Sequence, residues 1–256
     1  MHKIVTFSLC YLFLLLPISG FTLEDSEQVL NLLDAKELKG SGKILSETRD
    51  LTTVDRVSIN DNFEVEVILN SKTPSNLETQ NKKLPSLTVT ADDNLMPLIT
   101  TEIQGQTLFI QFNNESDKDP LLPFSFKSTV ISSNKNPKIT LFLDSLKEVS
   151  LSGSSKIEVK NLSEKELLLR AHGSSTSKIS GNVDLLELKL SGSSELDAKE
   201  LVCNEINFKV SGSTKSSIQV KNVLAGKASG AAKVNYYGKP HSQKVELSGV
   251  SELKSV

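Results

Sequence analysis

A serine beside a glycine occurs in the phrase LSGSSKIEV, at residues 151–159. In a loop, such a pair could present a nucleophilic hydroxyl group or bind a phosphate through backbone N–H groups. The same phrase returns along the second half of the chain, each time around a glycine: Gly153, Gly173, Gly192, Gly212, Gly230 and Gly249. A nucleophile acts at one place in a site, whereas a motif repeated at regular intervals belongs to a repeated structural unit. We therefore interpret these glycines as structural corners and predict no catalytic residue among them.

Successive corner glycines are 20, 19, 20, 18 and 19 residues apart. Apolar or small residues stand two and four positions before each glycine, with a polar residue between them, as in Val149, Ser150 and Leu151. This alternation is typical of a β-strand with one buried face. Glycine supplies the unusual φ of a corner, and small hydroxyl residues leave room for coils about 4.8 Å above and below. The spacing predicts a β-solenoid with about 19–20 residues per coil.

The region before the repeats also has β character. Alternating runs of β-branched and aromatic residues predict further strands at residues 57–59, 63–69, 87–90, 107–112 and 139–143. Two stretches rich in Asn, Ser, Lys, Asp and Pro, 70–85 and 113–123, are interpreted as surface loops. We predict an all-β fold in which residues 40–256 form one β-solenoid domain and residues 145–256 are its clear repeats.

The N-terminus has the features of a secretory signal peptide over residues 1–20. His2 and Lys3 precede an apolar run, and small residues follow it near a cleavage point. Cys10 lies inside that run and not at its end, so we do not expect a lipoprotein. We predict export to the periplasm, the outer-membrane surface or the medium, with an uncleaved N-terminal anchor as the alternative. Residues 21–39 have the apolar spacing of one short helix, which we expect to be a linker or cap.

Cleavage of the leader would leave Cys203 as the only cysteine, so the sequence predicts no intramolecular disulfide. Its neighbours Val202 and Asn204 do not stabilise a thiolate, and we interpret Cys203 as a small apolar side chain of the core. The formal net charge of -2 gives no support to a nucleic-acid partner, and the absence of Trp and an aromatic fraction of 5% leave few stacking platforms for either bases or sugars.

The sequence lacks the motifs of a hydrolase, a nucleotide-binding site or a zinc site. His172 takes a serine position beside a corner glycine, where it has no obvious nucleophile other than the corner serines, and we interpret it as a tolerated substitution. His241 lies in the turn Pro240-His241-Ser242, where we expect it to be solvated. The column three positions after the corner glycines mixes both charge signs, which argues against an acidic calcium cluster, and we interpret Asp92-Asp93-Asn94 as a loop turn. We predict no catalytic residue, no metal and no cofactor. A carbohydrate-active enzyme, a polysaccharide lyase or a hydrolase on a β-helix, is kept as the alternative function.

One outward column is strongly basic. Four cations stand three positions before successive glycines and should stack on adjacent coils: Arg170, Lys189, Lys209 and Lys227. Like charges stacked in this way repel one another, and an anionic glycan, a lipid head group or a partner protein would offset that repulsion. The alternative is a solvated face relieved by Glu148 and Glu187. The last coil also exposes backbone groups that can pair with a second copy, which makes an end-to-end homodimer a further expectation.

Several phrases of the sequence carry a family resemblance. They are Gly40-Ser41-Gly42-Lys43, Val54-Asp55-Arg56-Val57, Phe63-Glu64-Val65-Glu66-Val67, Ala91-Asp92-Asp93-Asn94-Leu95 and the Leu-Ser-Gly-Ser-Ser coils. Together they resemble the auto-transporter adhesin head GIN domain family of bacteria, formerly a domain of unknown function. The resemblance implies a right-handed parallel β-helix, export, no established enzymatic activity and an adhesive role. We therefore expect a non-enzymatic surface or periplasmic binding or structural module, with an anionic glycan or a cell-surface protein as partner.

Overall fold

The computed structural model describes residues 37–70, 84–113, 130–132 and 135–256, and the chain divides into two compact units. The described residues of the smaller unit, 37–38 and 130–131, belong to a two-stranded sheet of β1 (Glu37–Lys39) and β8 (Val130–Ser132). The structure corrects the helix predicted over residues 21–39 at its last three residues, because pairing with β8 makes them a strand. The rest of that helix and the signal peptide lie outside the described residues, as do most residues of the two predicted loops.

The larger unit, Lys39–Asn113 with Ser132–Val256, contains a sheet of fifteen strands. In chain order these are β2 (Ile44–Arg49), β3 (Arg56–Ile59), β4 (Glu64–Leu69), β5 (Ser86–Asp92), β6 (Ile99–Gln104), β7 (Thr107–Phe112), β9 (Lys138–Leu143), β10 (Glu148–Leu151), β11 (Lys156–Ala171), β12 (Thr176–Leu190), β13 (Glu195–Val210), β14 (Lys215–Ala228), β15 (Lys233–Tyr237), β16 (Ser242–Leu247) and β17 (Glu252–Ser255). A short 3-10 helix, Met96–Leu98, precedes β6. The five strands expected before the repeats are all present.

The repeats form a parallel β-solenoid, as the glycine spacing predicts. From β10 to β14 and on to β16, each coil pairs in parallel with the next, and equivalent positions are in register. The column four positions before the glycines runs through Val149, Leu169, Leu188, Phe208, Gly226 and Val245. Its first four members are at most 2% exposed. The core is therefore a set of stacked apolar columns that run along the coils.

The corner glycines stack directly on one another. All six have a positive φ, between +71 and +83°, which is the left-handed region that favours glycine. The amide of Ser174 donates to the carbonyl of Gly153 at 2.8 Å, and the amide of Ser193 donates to Gly173 at 2.7 Å. A Cβ atom built on Gly173 would lie 2.5 Å from the Gly153 carbonyl oxygen. Each corner thus needs glycine for its φ and for the close approach of the coil before it.

The hydroxyl residues after the corners point into the core. Ser155, Ser175, Ser194 and Thr214 are at most 1% exposed. Ser194 Oγ donates to the carbonyl of Ser191 at 2.6 Å and so closes its own corner. Ser177 and Ser216 are also buried, in the apolar column four positions after the glycine, whereas Ile179 and Ile218 fill the next inward position. Small polar side chains therefore fill part of the interior at the corners.

The first coil of the solenoid has no corner glycine, so the glycine spacing did not predict it. β3 and β4 lie beneath β10 and β11, and the corner between them is Asn60-Asp61-Asn62-Phe63. Asp61 has φ +70° and lies beneath Gly153, since the amide of Ser154 and the hydroxyl of Ser155 donate to its carbonyl at 3.1 and 2.8 Å. Aspartate is among the few residues that tolerate this conformation. Phe63, fully buried, takes the place of the corner serine and stacks on Phe112, with 4.8 Å between ring centroids.

Antiparallel strands close the solenoid below this coil. β7 lies under β3 and β9 under β4, both in parallel, and the antiparallel pairs β6 with β7, β5 with β9 and β2 with β5 follow. Arg49 at the end of β2 donates to the carbonyl of Ile99 at 2.8 Å and to Thr101 Oγ1 at 3.1 Å. This side chain joins β2 to β6. It thereby connects the strands that extend the sheet beyond β9 with those that extend it beyond β7.

Candidate functional site

The basic column lies on the outer face of the sheet that ends in the glycine corners. Arg170, Lys189, Lys209 and Lys227 are consecutive register partners on β11 to β14, with Ser150 before them and Glu246 after them. Their neighbours along the strands are buried in the core, except for Gly226, which is half-buried, and alternation sets the four cations on the outside. The structure therefore brings the four predicted side chains together on neighbouring strands.

The two ends of the basic column are neutralised within the chain. Arg170 Nε lies 3.1 Å from Glu148 Oε1, and Lys227 Nζ lies 2.7 Å from Glu246 Oε2. The hydrogen bond from Lys227 lowers the pKa of Glu246 below its usual value. The relief expected from Glu148 is therefore present between β10 and β11, and a residue of the last coil supplies the second ion pair.

The two central lysines keep their charge unpaired. Lys189 and Lys209 are exposed, and neither belongs to an ion pair within the described part of the chain. Glu187, expected to relieve Lys189, forms no ion pair with it at 4.0 Å or less. Two uncompensated positive charges thus lie on adjacent strands, with a hydrogen-bonded pair above and below them.

The outer face formed by the strand segments after the corners has a different charge pattern. Glu66 lies between Lys138 and Lys160, at 3.1 and 2.8 Å, and Glu158 lies 3.4 Å from both Lys160 and Lys178. The hydrogen bonds from the two lysines lower the pKa of Glu66. Alternating charges on this face satisfy one another across three pairs of strands, so it offers less free charge to an anionic ligand than the basic column does.

A shallow groove runs across the strand segments that precede the basic column. Its charged lining consists of Lys147, Lys165, Lys221, Glu164, Glu166 and Asp184, and Asn182 and Asn204 complete its polar wall. Lys147 Nζ lies 2.7 Å from Oδ2 of the buried Asp55, and that hydrogen bond raises the pKa of Lys147. Positive and negative groups are balanced here, and one lysine, Lys147, is already paired with the buried carboxylate of Asp55. The groove therefore favours neither an anionic nor a cationic ligand.

His172 is hydrogen-bonded to a corner serine, since its Nδ1 lies 2.7 Å from Ser191 Oγ, whereas His241 Nδ1 lies 3.1 Å from Asn222 Oδ1. No carboxylate among the described residues is hydrogen-bonded to His172, so the pair lacks the third group that orients a catalytic base. Ser155 is buried and its hydroxyl donates to a backbone carbonyl, an arrangement that serves the corner. Within the described ranges, no group of three or more His, Cys, Asp or Glu side chains is arranged to hold a metal ion.

The acidic group Asp92-Asp93-Asn94 binds the chain that enters the solenoid. Asp92 Oδ1 accepts the amide of Gly42 at 2.7 Å, Asp93 Oδ1 accepts the Ser41 hydroxyl at 2.5 Å, and Asn94 Oδ1 accepts the Ser41 amide at 2.9 Å. The hydrogen bond from Ser41 lowers the pKa of Asp93. These polar side chains hold residues 41 and 42 in place. The phrases Gly40-Ser41-Gly42-Lys43 and Ala91–Leu95 are therefore in contact in the folded chain.

Cys203 lies in the core of β13, where it is fully buried, and desolvation raises the pKa of its thiol to about 12. We therefore expect the thiol to resist a disulfide reagent in the folded protein and to react rapidly in denaturant, because only the exposed thiolate is nucleophilic. Absorbance of the released thiol reports the rate in the chain from Phe21, and Cys203→Ser gives the blank. Rapid reaction without denaturant would show that this part of the core is open.

Among the described residues, no helix is long and apolar enough to cross a membrane.

These features define the class of protein. A continuous stacked core and an outer basic column with two unpaired lysines at its centre are typical of a β-solenoid that presents a surface. The chain belongs to the family described as putative auto-transporter adhesin, head GIN domain, whose model matches residues 55–240. No curated protein matches it significantly.

Solved structures show the same fold. A crystal structure of a putative adhesin from Bacteroides fragilis has a TM-score of 0.63 at 16% identity, with 86% of this chain and 100% of that chain covered. One described as a putative adhesin from Parabacteroides merdae has a TM-score of 0.51 at 18% identity, covering 87% and 100% of the two chains. A structure from Parabacteroides distasonis, described as a putative lipid binding protein, has a TM-score of 0.51 at 18% identity and covers 86% and 100%.

Proposed function

We propose that the protein is a non-enzymatic, exported adhesion module that binds an anionic glycan through the basic column. Family membership supports an adhesive role, and the leader-like residues 1–20 support export. The observation that carries the proposal is the pair of exposed lysines, Lys189 and Lys209, that have no carboxylate partner in the described chain. Against the alternative of a carbohydrate-active enzyme, the histidine–serine pair His172 and Ser191 has no carboxylate among the described residues to orient the histidine.

The spacing of the column suits a polymer with regularly repeated negative charges. Neighbouring strands lie about 4.8 Å apart, so Lys189 and Lys209 present two ammonium groups at a short interval on one flat face. Each lysine is a flexible point charge that can bind a carboxylate or a sulfate without exact geometry. Several weak contacts along one polymer add up, so binding depends on the whole column and weakens as salt rises.

A lipid head group offers the same anionic chemistry from a different source. One structural neighbour is described as a putative lipid binding protein, and an anionic lipid is therefore the second ligand to be compared. We favour the glycan because the neighbours of Lys189 and Lys209 along their strands are buried in the core, so an acyl chain has no apolar opening beside these two lysines. Binding to anionic vesicles with none to anionic glycans would contradict the proposal.

The test uses the chain from Phe21 on an array of anionic and neutral glycans. The full reversal of Arg170, Lys189, Lys209 and Lys227 is compared with the smaller Lys189→Glu/Lys209→Glu variant, which leaves both ion pairs of the column intact. We expect wild type to bind anionic glycans selectively and K189E/K209E to lose at least about tenfold in affinity, the change that about 1.4 kcal/mol produces. The full reversal should abolish binding.

Lys215→Glu/Lys221→Glu is the matched control, because both lysines are exposed and, like Lys189 and Lys209, form no ion pair in the described part of the chain, but lie outside the column. It makes the same change in net charge and should bind as wild type does. Equal losses in the two double variants would mean that only net charge matters. Unchanged binding in K189E/K209E would show that the column is a solvated face, and either result would overturn the proposed site.

A further inference from the structure

The last coil leaves two strand edges without a neighbour in the described chain. β16 pairs on one side with β14, and β17 pairs on one side with β15. The apolar side chains of this coil are less covered than those of the coils before it, with Leu247 48%, Val250 73% and Val256 62% exposed. A free edge with open N–H and C=O groups and exposed apolar residues is a template for pairing with another strand.

The charges on these strands have an antisymmetric order. In β16, Lys244 and Glu246 point outward on either side of Val245, because Glu246 is in register with Lys227 and Val245 with Gly226. In β17, Glu252 and Lys254 likewise lie on either side of the inward-facing Leu253. Each free edge therefore has one charge of each sign around a central apolar residue.

This order selects one geometry of pairing between two copies. If β16 of two copies pairs antiparallel about Val245, Lys244 of each copy lies directly opposite Glu246 of the other. Opposite charges directly across an antiparallel pair are stabilising, whereas like charges are destabilising. Pairing in parallel and in register would place lysine against lysine and glutamate against glutamate. The charges of β16 are therefore complementary to those of a second β16 when the two strands pair antiparallel about a two-fold axis, and not when they pair in parallel and in register.

Glu246 can accept a second cation. It already lies 2.7 Å from Lys227, and both Lys227 and Lys244 lower its pKa. Its side chain is 63% exposed, so one carboxylate oxygen remains accessible to a lysine from another chain. A two-fold pair would therefore place each Glu246 between Lys227 of its own chain and Lys244 of the second copy.

We infer that the protein forms a two-fold homodimer through its last coil, with β16 pairing antiparallel to β16 of a second copy. The pairing would satisfy backbone groups of both edges and cover part of the exposed Leu247. A two-fold axis perpendicular to the sheet that contains β16 leaves the outer faces of both copies on the same side of the dimer. The two basic columns would then lie on one side of the dimer and form a strip twice as long.

Sedimentation equilibrium of the chain from Phe21, at micromolar to millimolar concentration, tests the inference through mass alone and is independent of glycan binding. We expect wild type to dimerise and both Lys244→Glu and Glu246→Lys to be monomeric, because each reversal sets like charges opposite each other in the homodimer. An equimolar mixture of the two variants should dimerise again, since glutamates of one chain then face lysines of the other.

Glu195→Lys and Lys215→Glu are the controls, since both residues are exposed and in register on middle coils, away from any free edge. Both variants should dimerise as wild type does. A monomeric wild type at millimolar concentration would show that the charges only protect the edge from pairing, and would overturn the inference. So would dimers that survive both single reversals, or a mixture of K244E and E246K that stays monomeric.

Discussion

Gly192→Ala is expected to lower the free energy of unfolding by about 2–5 kcal/mol, which would be a large part of the stability of a domain. Gly192 has φ +78°, a conformation that costs a residue with a Cβ atom about 1–2 kcal/mol. The new Cβ would also lie 2.6 Å from the carbonyl oxygen of Gly173, a backbone atom that cannot turn aside. Separating the two coils there adds a cost typical of overpacking, about 1–3 kcal/mol.

Gly105→Ala is the matched control for this variant. Gly105 lies in the turn between β6 and β7 with φ +62°, and beyond its chain neighbours no atom lies within 4 Å of the position that a Cβ would occupy. Its substitution incurs the backbone cost alone, so urea unfolding should show a clearly smaller loss than Gly192→Ala. Equal losses would mean that stacking of the corners contributes nothing beyond the φ preference. Gly192→Val should be worse still, and a wild-type melting temperature for it would refute the corner interpretation.

Phe63→Ala is expected to cost about 3–5 kcal/mol, the usual range for removal of a fully buried aromatic side chain. Phe63 is 0% exposed and stacks on Phe112 at the corner of the first coil. Later coils fill the equivalent position with a small side chain, a serine or threonine in most of them. The variant leaves a cavity where the solenoid meets its closing strands.

Phe109→Ala controls for the loss of a phenyl ring. Phe109 is on β7 in register with Ser58, and its side chain faces outward and is half-buried. Chemical denaturation followed by circular dichroism should show less than half the loss found for Phe63→Ala. Comparable losses for the two variants would contradict the assignment of Phe63 as the packing residue of the first corner.

The basic column and the last coil give complementary information about adhesion. Lys189 and Lys209 supply free charge, whereas Lys227 is tied to Glu246 at the coil that we expect to dimerise. If both proposals hold, a dimer binds a long anionic polymer more tightly than a monomer does, since each polymer contacts two columns. The variants K244E and E246K separate the two effects. We expect them to prevent dimerisation, but they leave both central lysines, Lys189 and Lys209, in place.

The coils and their inward columns were predictable because the signals that encode them are local and repeated. Alternation places Val149, Leu169 and Leu188 on the same side of their strands, and the glycine spacing puts them in register. Any single repeat is weak evidence, but a pattern that recurs at one period leaves little choice of architecture. The outward position of the basic column follows from the same alternation, so its membership needed no tertiary structure.

Tertiary structure alone decided how the solenoid begins. Its first corner uses Asp61 and Phe63, which share no residue type with the later Gly and Ser positions. The next coil up, β10, is separated from β3 by residues that form further strands of this sheet, so no local period connects the two. Stacking beneath Gly153 forces the left-handed φ on Asp61, and that constraint comes from a coil distant in sequence.

Tertiary structure also decided which charges remain free. The sequence placed Glu148 and Glu187 equally well to relieve the column, yet an ion pair forms at Arg170 and not at Lys189. An ion pair requires two flexible side chains to meet within about 4 Å, and cross-strand register and side-chain rotamers determine whether they do. Sequence alone therefore determined the β-solenoid, its inward columns and the location of the basic column. The folded chain determined the first coil of the solenoid, its closing strands and which two lysines remain unpaired.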